Sequence, residues 1–423
     1  MDRLQALKNL LRTRMLAALA PLSDPRETHA RAAVRPPSYA AYLAYLEGME
    51  AFVRLDMRTA VRHFERSASA DAAYPMPLLA SAIAQLNMGR IAMTDSITQI
   101  VERSRDDLGP METATLDMLQ GWMRGDNVAA YEAVVRQARL APGSIGHYQL
   151  AEQARRLNRP AEALRVLAEI GPERGELRGW RPYWREAASA HHMLGNHRQE
   201  LRVAKRARIL YPDHPAILIL EVRALAALGR TRDLNRVIEE RLTSAPHRRP
   251  SAGVVMTMAA TDLRAHGYLS HAAALHSRAL AWHQRASEEE LQVDHRRAYA
   301  EALYAAEQWD RAEALIRQLA AEQPLDVDLQ GSLGALAVRR GDRAEAERIS
   351  SWLRDLQQPY LWGNNTYWRA CIAALLGERE QAVTLLRASF SQGRQYGPWI
   401  HSAIDLEPLR EYAPFRELVR PKG

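Results

Sequence analysis

The sequence predicts an all-α chain built as a solenoid of about ten helix-turn-helix units. Three observations lead there. Alanine supplies 71 of the 423 residues and phenylalanine only four, a composition suited to helices packed closely through small side chains and poorly suited to a strand-rich core. Helical segments alternate with short breaks along the whole chain. Several breaks also share one chemistry, a glycine followed five residues later by an alanine: Gly125 and Ala130, Gly267 and Ala272, Gly341 and Ala346, Gly377 and Ala382. Glycine at such a place takes the left-handed conformation that ends one helix, so that the next starts at once.

Aligned on those breaks, the turn positions are Leu55, Gly89, Gly125, Asn158, Gly195, Gly229, Gly267, Glu307, Gly341 and Gly377. Their spacing runs from 33 to 40 residues and clusters just above 34. That period resembles the tetratricopeptide repeat family, and the resemblance covers nearly the whole chain. It implies a right-handed superhelix whose concave side is lined by the first helix of each unit. The family's small residue at the crossing of the first helix with the second falls on Gly48, Ala82, Ala151, Ala188, Ala260, Ala300, Gly334 and Ala370. Its partner on the second helix falls on Ala60, Ala130, Ala163, Ala272, Ala312, Ala346 and Ala382. Two helices joined by a three-residue turn must approach closely, and a larger side chain at the crossing would hold them apart. A proline closes several units, at Pro142, Pro212, Pro246 and Pro324, and one place late at Pro359; it stops the second helix. The large apolar residue of the second helix is Phe64, Val134, Leu167, Ile238, Ile316 or Leu386. The second unit, around Gly89, and the sixth, with Val222 and Leu234 at the crossing, depart most from the pattern.

The array is expected over residues 37–396. Residues 1–36 read as an amphipathic helix and linker; Lys8, Arg12 and Arg14 interrupt what a signal peptide would keep apolar. Residues 397–423 read as a C-terminal capping segment carrying Leu406, Leu409 and Phe415. Its stretch Asp405-Leu406-Glu407-Pro408-Leu409-Arg410, followed by Ala413-Pro414-Phe415, resembles the closing segment after tetratricopeptide arrays in large bacterial signalling proteins. The opening Arg35-Pro36-Pro37-Ser38-Tyr39 and the residues to Gly48 resemble the entry to repeats attached to bacterial protein kinases, adenylate cyclases and winged-helix regulators. What this implies is a sensing or scaffolding module without the output domain.

The remaining features exclude more than they assign. Cys371 is the only cysteine, so no internal disulfide forms, and a reducing, cytoplasmic setting is expected. No run of about 18 apolar residues would span a membrane. The net charge of +7 comes from 54 arginines and three lysines against 50 acidic residues. The arginines are interspersed with Glu and Asp and form no tract, which disfavours nucleic-acid binding. The three lysines fit no phosphate-cradling P-loop. The fourteen histidines never fall three or four apart, so no single helix aims two imidazoles at one ion. Neither a metal, a cofactor nor a catalytic constellation is expected. The aromatics Tyr360, Trp362, Tyr367 and Trp368 read as filler between two repeats.

What the resemblance offers is a surface. The family's groove-facing places fall on Tyr148, Glu152 and Arg155, then Arg185, Ser189 and His192, then Arg223, then Thr257 and Arg264, then Arg297, Glu301 and Tyr304. Four successive units contribute an arginine, Arg155, Arg185, Arg223 and Arg264, and Arg297 follows in the next. A row of planar guanidinium forks favours an acidic segment or a chain terminus. The expected function is therefore a non-enzymatic interaction scaffold that binds a protein or peptide partner in that groove. The competing reading is a nucleic-acid-associated transcriptional regulator.

Overall fold

The computed structural model describes residues 37–173, 177–212, 214–243, 250–285 and 293–423, together with Leu11 and Met15. The amphipathic helix and linker expected over residues 1–36 otherwise lie outside the described residues. The chain divides into two compact units, residues 1–183 and 184–423.

The first unit holds four helical hairpins: α1 Tyr39–Val53 with α2 Met57–Ala70, α3 Met76–Asn87 with α4 Ile91–Glu102, α5 Pro110–Arg124 with α6 Asn127–Leu140, and α7 Ile145–Arg156 with α8 Pro160–Glu169. The second holds six: α9 Pro182–Met193 with α10 His197–Leu210, α11 Pro215–Ala227 with α12 Thr231–Thr243, α13 Ala252–Ala265 with α14 Leu269–Gln284, α15 Val293–Ala305 with α16 Trp309–Glu322, α17 Val327–Arg339 with α18 Arg343–Asp355, and α19 Asn364–Leu375 with α20 Arg379–Ser391. Three short elements follow, α21 Trp399–Ser402, a 3₁₀ turn Ile404–Leu409 and α22 Ala413–Val419.

All ten expected turn positions have positive φ, from 57° at Glu307 to 85° at Gly267. Leu55, Asn158 and Glu307 adopt it without being glycine, at 63°, 62° and 57°. The hydrogen bonds around them repeat as well. The residue after each turn position donates its N–H to the carbonyl five residues back, as in Asp56 to Ala51, Asp126 to Gly121, Gln308 to Leu303 and Glu378 to Ala373. This is the bond that closes a Schellman motif, and it satisfies carbonyls that the end of the first helix leaves open. The second helix then starts at once, often on an acidic cap: Asp56, Asp126 and Asp342 accept from Thr59, Ala129 and Glu345 N–H. In α8 proline takes the first helical position, as it does at the start of the first helices α5 and α11, where its missing N–H costs no bond.

Close approach follows directly from the turn. Ala82, Ala151, Ala188, Ala260 and Ala370 on first helices, and Ala60, Ala130, Ala163, Ala312, Ala346 and Ala382 on second helices, are fully buried. At Gly48 an added Cβ would sit 2.5 Å from the Phe64 ring, and at Gly334 2.5 Å from Ile372 Cδ1. Where the pattern lapses the crossing is solved differently, and in the sixth hairpin Val222 and Leu234 fill it as buried apolar side chains. In the second hairpin the place is taken by Thr94, whose hydroxyl donates to the Ala82 carbonyl oxygen across the crossing. In the third, Met118 is buried at the crossing and the backbones meet one turn later, where a Cβ on Gly121 would lie 2.8 Å from Ala130 N. Among the prolines expected to close units, Pro142, Pro212 and Pro324 each follow the last residue of a second helix by two positions; Pro246 lies outside the described residues.

Leu406, Leu409 and Phe415 of the C-terminal segment are buried with Ala370, Leu386 and Phe390 of the last hairpin. Tyr367 joins that cluster, whereas Trp368 packs over Gly331 of α17. The Cys371 thiol is fully buried there, and burial together with Asp405 pushes its pKa up.

The turn predicts its own mutant. Gly341 has φ of 81° and open space around its Cβ direction, so Gly341→Ala should cost about 1 kcal/mol through backbone conformation alone. Gly341→Asn should recover part of it. The urea unfolding midpoints of the three proteins check this; equal midpoints would show that the left-handed turn does not limit stability there.

Candidate functional site

In the first unit the first-helix face is closed by the chain itself. Trp180 stacks on Phe52 of α1, centroids 5.5 Å apart and planes 9° from parallel, and meets Tyr148 of α7 edge-on at 5.5 Å. Arg181 donates to the Arg54 carbonyl oxygen at 3.1 Å. Tyr148, expected to face a groove, is consequently buried, at 3% exposure. Arg155 is half-buried in the same unit. What is left between α1, α3 and α7 is a space of about 40 Å³ beside Tyr45, Met49 and Phe52.

The second unit gathers four of the expected groove residues, Arg264, Arg297, Glu301 and Tyr304, around a cavity of about 270 Å³. Its walls come from the first helices α13, α15, α17 and α19, through residues that include Ala300, Leu329 and Trp368. Ser402 and Ile404 of the C-terminal segment line it as well. That segment brings acid to the arginines. Glu407 accepts two bonds from Arg264, at 3.0 and 3.1 Å, while Glu307 takes a third guanidinium nitrogen at 2.5 Å. Asp405, buried at 4% exposure, accepts from the Tyr304 hydroxyl at 2.7 Å and from Arg339 at 2.6 Å. Arg339 also donates to the Tyr304 oxygen at 3.1 Å and lies 4.3 Å from the centre of the Trp309 ring. Burial, reinforced by Asp405, raises the Tyr304 hydroxyl well above its ordinary range, so it stays a donor. Arg297 forks onto Asp326 at 2.7 and 3.2 Å, and Asp326 also caps α17 by accepting from Leu329 N–H.

Arg185, Arg223 and His192 of the expected groove are arranged differently. Arg185 is exposed, with its Nε 3.1 Å from Glu186. Arg223 and His192 are committed to Glu200, a carboxylate with no exposed surface: Arg223 Nε donates to Oε1 at 2.8 Å and His192 Nδ1 lies 2.9 Å from Oε2. The guanidinium row is therefore not a set of open forks: Arg223, Arg264 and Arg297 each take an internal carboxylate. Glu200 occupies the second-helix crossing place that alanine fills in seven other hairpins. Burial pushes its pKa up, but hydrogen bonds from His192 and His197 and the Arg223 charge outweigh that and hold it at about 2. Sequence reasoning passed over Glu200, although a charged residue at an alanine place was a visible anomaly. Nearby, Asp262 is driven up to about 7 by burial. His401 is pushed down to about 4 by burial and the surrounding imidazoles.

Beyond Arg264 a second cavity of about 400 Å³ is lined by Ala272, His276, Leu280 and Glu307. Both His276 ring nitrogens lack a hydrogen-bond partner among the described residues, and burial, with Arg264 nearby, lowers its pKa to about 4.

Ten helix pairs among the described residues, each closed by the same left-handed turn and nine of them crossing at a small residue, decide the architecture. The chain is a solenoid of tetratricopeptide-like hairpins. No family model matches its sequence, and no curated protein does. Among solved structures it is similar to a tetratricopeptide repeat protein from Parabacteroides merdae, at 18% identity over 71% of this chain and 98% of that one, with a TM-score of 0.34. It is similar also to the quorum sensor NprR from B. thuringiensis, which has been solved with its cognate peptide NprX; in that complex the identity is 13% over 82% and 97%, with a TM-score of 0.43. Yeast Tom70 shares 13% identity over 93% and 97%, with a TM-score of 0.32. No described helix is long and apolar enough to cross a membrane.

Two outcomes follow from these contacts. Arg339→Met leaves Asp405 buried beside Tyr304 without its cation and should cost about 3 kcal/mol or more, whereas the double variant Arg339→Met/Asp405→Leu should cost much less; chemical denaturation of both single variants and the pair measures the coupling. His276 holds its neutral form in the fold, so its contribution to stability is complete above its unfolded pKa of about 6.5 and is lost as pH falls toward 4. His276→Leu should flatten the melting temperature between pH 6.5 and 4, and an unchanged slope would place the acid sensitivity elsewhere.

Proposed function

We propose that the chain is a non-enzymatic protein-interaction scaffold, and that the first-helix face of its second unit reads a short acidic segment with an apolar anchor. One observation carries the reading. The chain's own Ile404–Leu409 turn lies on that face with Asp405 on Tyr304 and Arg339 and Glu407 on Arg264, while Ile404 enters the cavity wall. A surface that satisfies the carboxylates of its own segment has the donors for those of a partner in the same register. Arg264, Arg297 and Tyr304 are the contact residues of this reading, and Arg185 is an exposed cation farther along the first helices. Helix pairs that twist gradually present an extended surface of this kind, and the peptide complex of NprR supports such a use of a helical-repeat architecture. A role in bacterial signalling, in the cytoplasm, is the setting in which we place it.

In this reading the C-terminal turn competes with the partner, so the apparent affinity is scaled by the fraction of molecules whose turn has lifted. Fluorescence anisotropy with a labelled peptide of residues 403–410 tests it. Glu407→Gln, which weakens the internal contact, should bind the peptide roughly three- to ten-fold more tightly than the unmodified chain. Arg264→Glu should abolish binding, and affinity should fall as salt rises from about 0.05 to 0.3 M. Equal binding of a basic peptide of the same length, or no peptide binding by Glu407→Gln, would overturn the proposal.

A further inference from the structure

The second unit brings together three imidazoles that lie far apart in sequence. His192 is the last residue but one of the fifth hairpin's first helix, His197 begins its second helix, and His266 follows the last residue of α13. One ring nitrogen of each lies within 4.8 Å of the other two. The rings meet edge to face, with centroids 4.9 Å apart for His192 and His197, 4.8 Å for His197 and His266, and 5.7 Å for His192 and His266.

The hydrogen bonds determine which nitrogen is available. His192 Nδ1 and His197 Nδ1 both lie against Glu200 Oε2, at 2.9 and 3.2 Å, and His266 Nδ1 lies 2.9 Å from the Asp262 carbonyl oxygen. A carboxylate and a carbonyl only accept, so each Nδ1 carries the proton and each Nε2 carries the lone pair. No side chain or backbone group hydrogen-bonds those Nε2 atoms among the described residues. With each Nδ1 committed to an acceptor, Nε2 is the nitrogen these three clustered imidazoles have left to offer a cation. Outer carboxylates and carbonyls that hold the far nitrogen of each imidazole are the arrangement that orients histidine ligands around a metal. The arrangement also accounts for Glu200, a fully buried carboxylate at a place where seven other hairpins have alanine: it fixes two imidazoles and is itself fixed by Arg223 at 2.8 Å.

We infer that His192, His197 and His266 bind one divalent transition-metal ion of the zinc class through their Nε2 atoms, with Glu200 and the Asp262 carbonyl as positioning groups. With metal–nitrogen distances of about 2.0–2.1 Å, closure needs each nitrogen to move inward by less than about 1 Å, which imidazole rotation supplies. Three ligands leave a fourth position for water or a bound group. Two of the ligands flank the left-handed turn at Gly195 and the third adjoins the one at Gly267, so the site is fixed by the most regular part of the fold.

The test uses the full chain, stripped with chelator and then titrated with Co²⁺ alone and with Zn²⁺ alone. One equivalent of Co²⁺ should bind and give the visible d–d absorption of nitrogen coordination, and Zn²⁺ should raise the melting temperature. His197→Ala and His266→Ala should each weaken binding at least ten-fold, while His63→Ala in the first unit should leave it unchanged. Should either alanine variant lose helicity by circular dichroism, the imidazole ¹⁵N resonances of the unmodified chain decide instead: Zn²⁺ must shift the Nε2 signals of three histidines together. Absence of stoichiometric binding, equal affinity of the folded variants, or a shift of other histidines would overturn the assignment.

Discussion

The left-handed residue at the end of each first helix is the constraint on which the other features rest. Because the N–H after it bonds back to the carbonyl five residues earlier, the chain reverses within three residues and the second helix has no freedom to stand off. Close approach then follows, and in most hairpins it selects glycine or alanine, or at Thr94 a hydroxyl that bonds across the crossing. Leu55 and Glu307 adopt positive φ without the conformational ease of glycine; such strain persists only where the surrounding packing overdetermines it. In those hairpins the crossing pairs Gly48 with Ala60 and Ala300 with Ala312, all small, so tertiary packing holds a turn that local preference opposes.

The same rigidity explains why charged residues collect where they do. Stacked helices leave half-buried positions along the first-helix face, and long arginine side chains cover apolar surface there with their stems. Their guanidinium groups must then find acceptors, since a charge half out of water without a partner is costly. Arg223, Arg264, Arg297 and Arg339 each find one, and three different sources supply it: the crossing glutamate, the cap of the following helix, and the C-terminal segment. The last source is the only one that can be exchanged without dismantling a hairpin, which is why the functional reading concentrates on it.

Much of this was legible in the sequence. The spacing of turn residues located all ten hairpins, and the small residues at the crossings located where the helices touch, because both follow from local backbone geometry. Arg264, Arg297 and Tyr304 were placed on one face by the groove-facing positions that the resemblance to the repeat family implies. What register could not reveal was occupancy. Tyr148 lies on the expected face but is covered by Trp180, a residue of the irregular stretch after α8 that carries no periodic signal. Likewise Leu406 and Leu409 announced a capping segment, since in a 3₁₀ turn residues three apart share a face. The same rule puts Ile404 and Glu407 together on another face, yet only the tertiary structure shows that this face meets Arg264. The histidines illustrate the limit from the other side: sequence spacing correctly excludes two ligands on adjacent turns of one helix and is silent about three imidazoles delivered by three helix ends.

Glu200 ties these threads together. An alanine at its place would complete the crossing as it does in seven other hairpins, and it would remove a charge whose burial opposes folding. Retaining glutamate there is consistent with packing only because His192, His197 and Arg223 surround it, and none of those three is needed to close a hairpin. The carboxylate and its partners thus form a unit that the fold accommodates without requiring, in the way that buried polar groups serve a site rather than a core. Its position, close to the left-handed turn at Gly195, joins the most regular feature of the repeat to a cluster of side chains that repeat geometry does not demand.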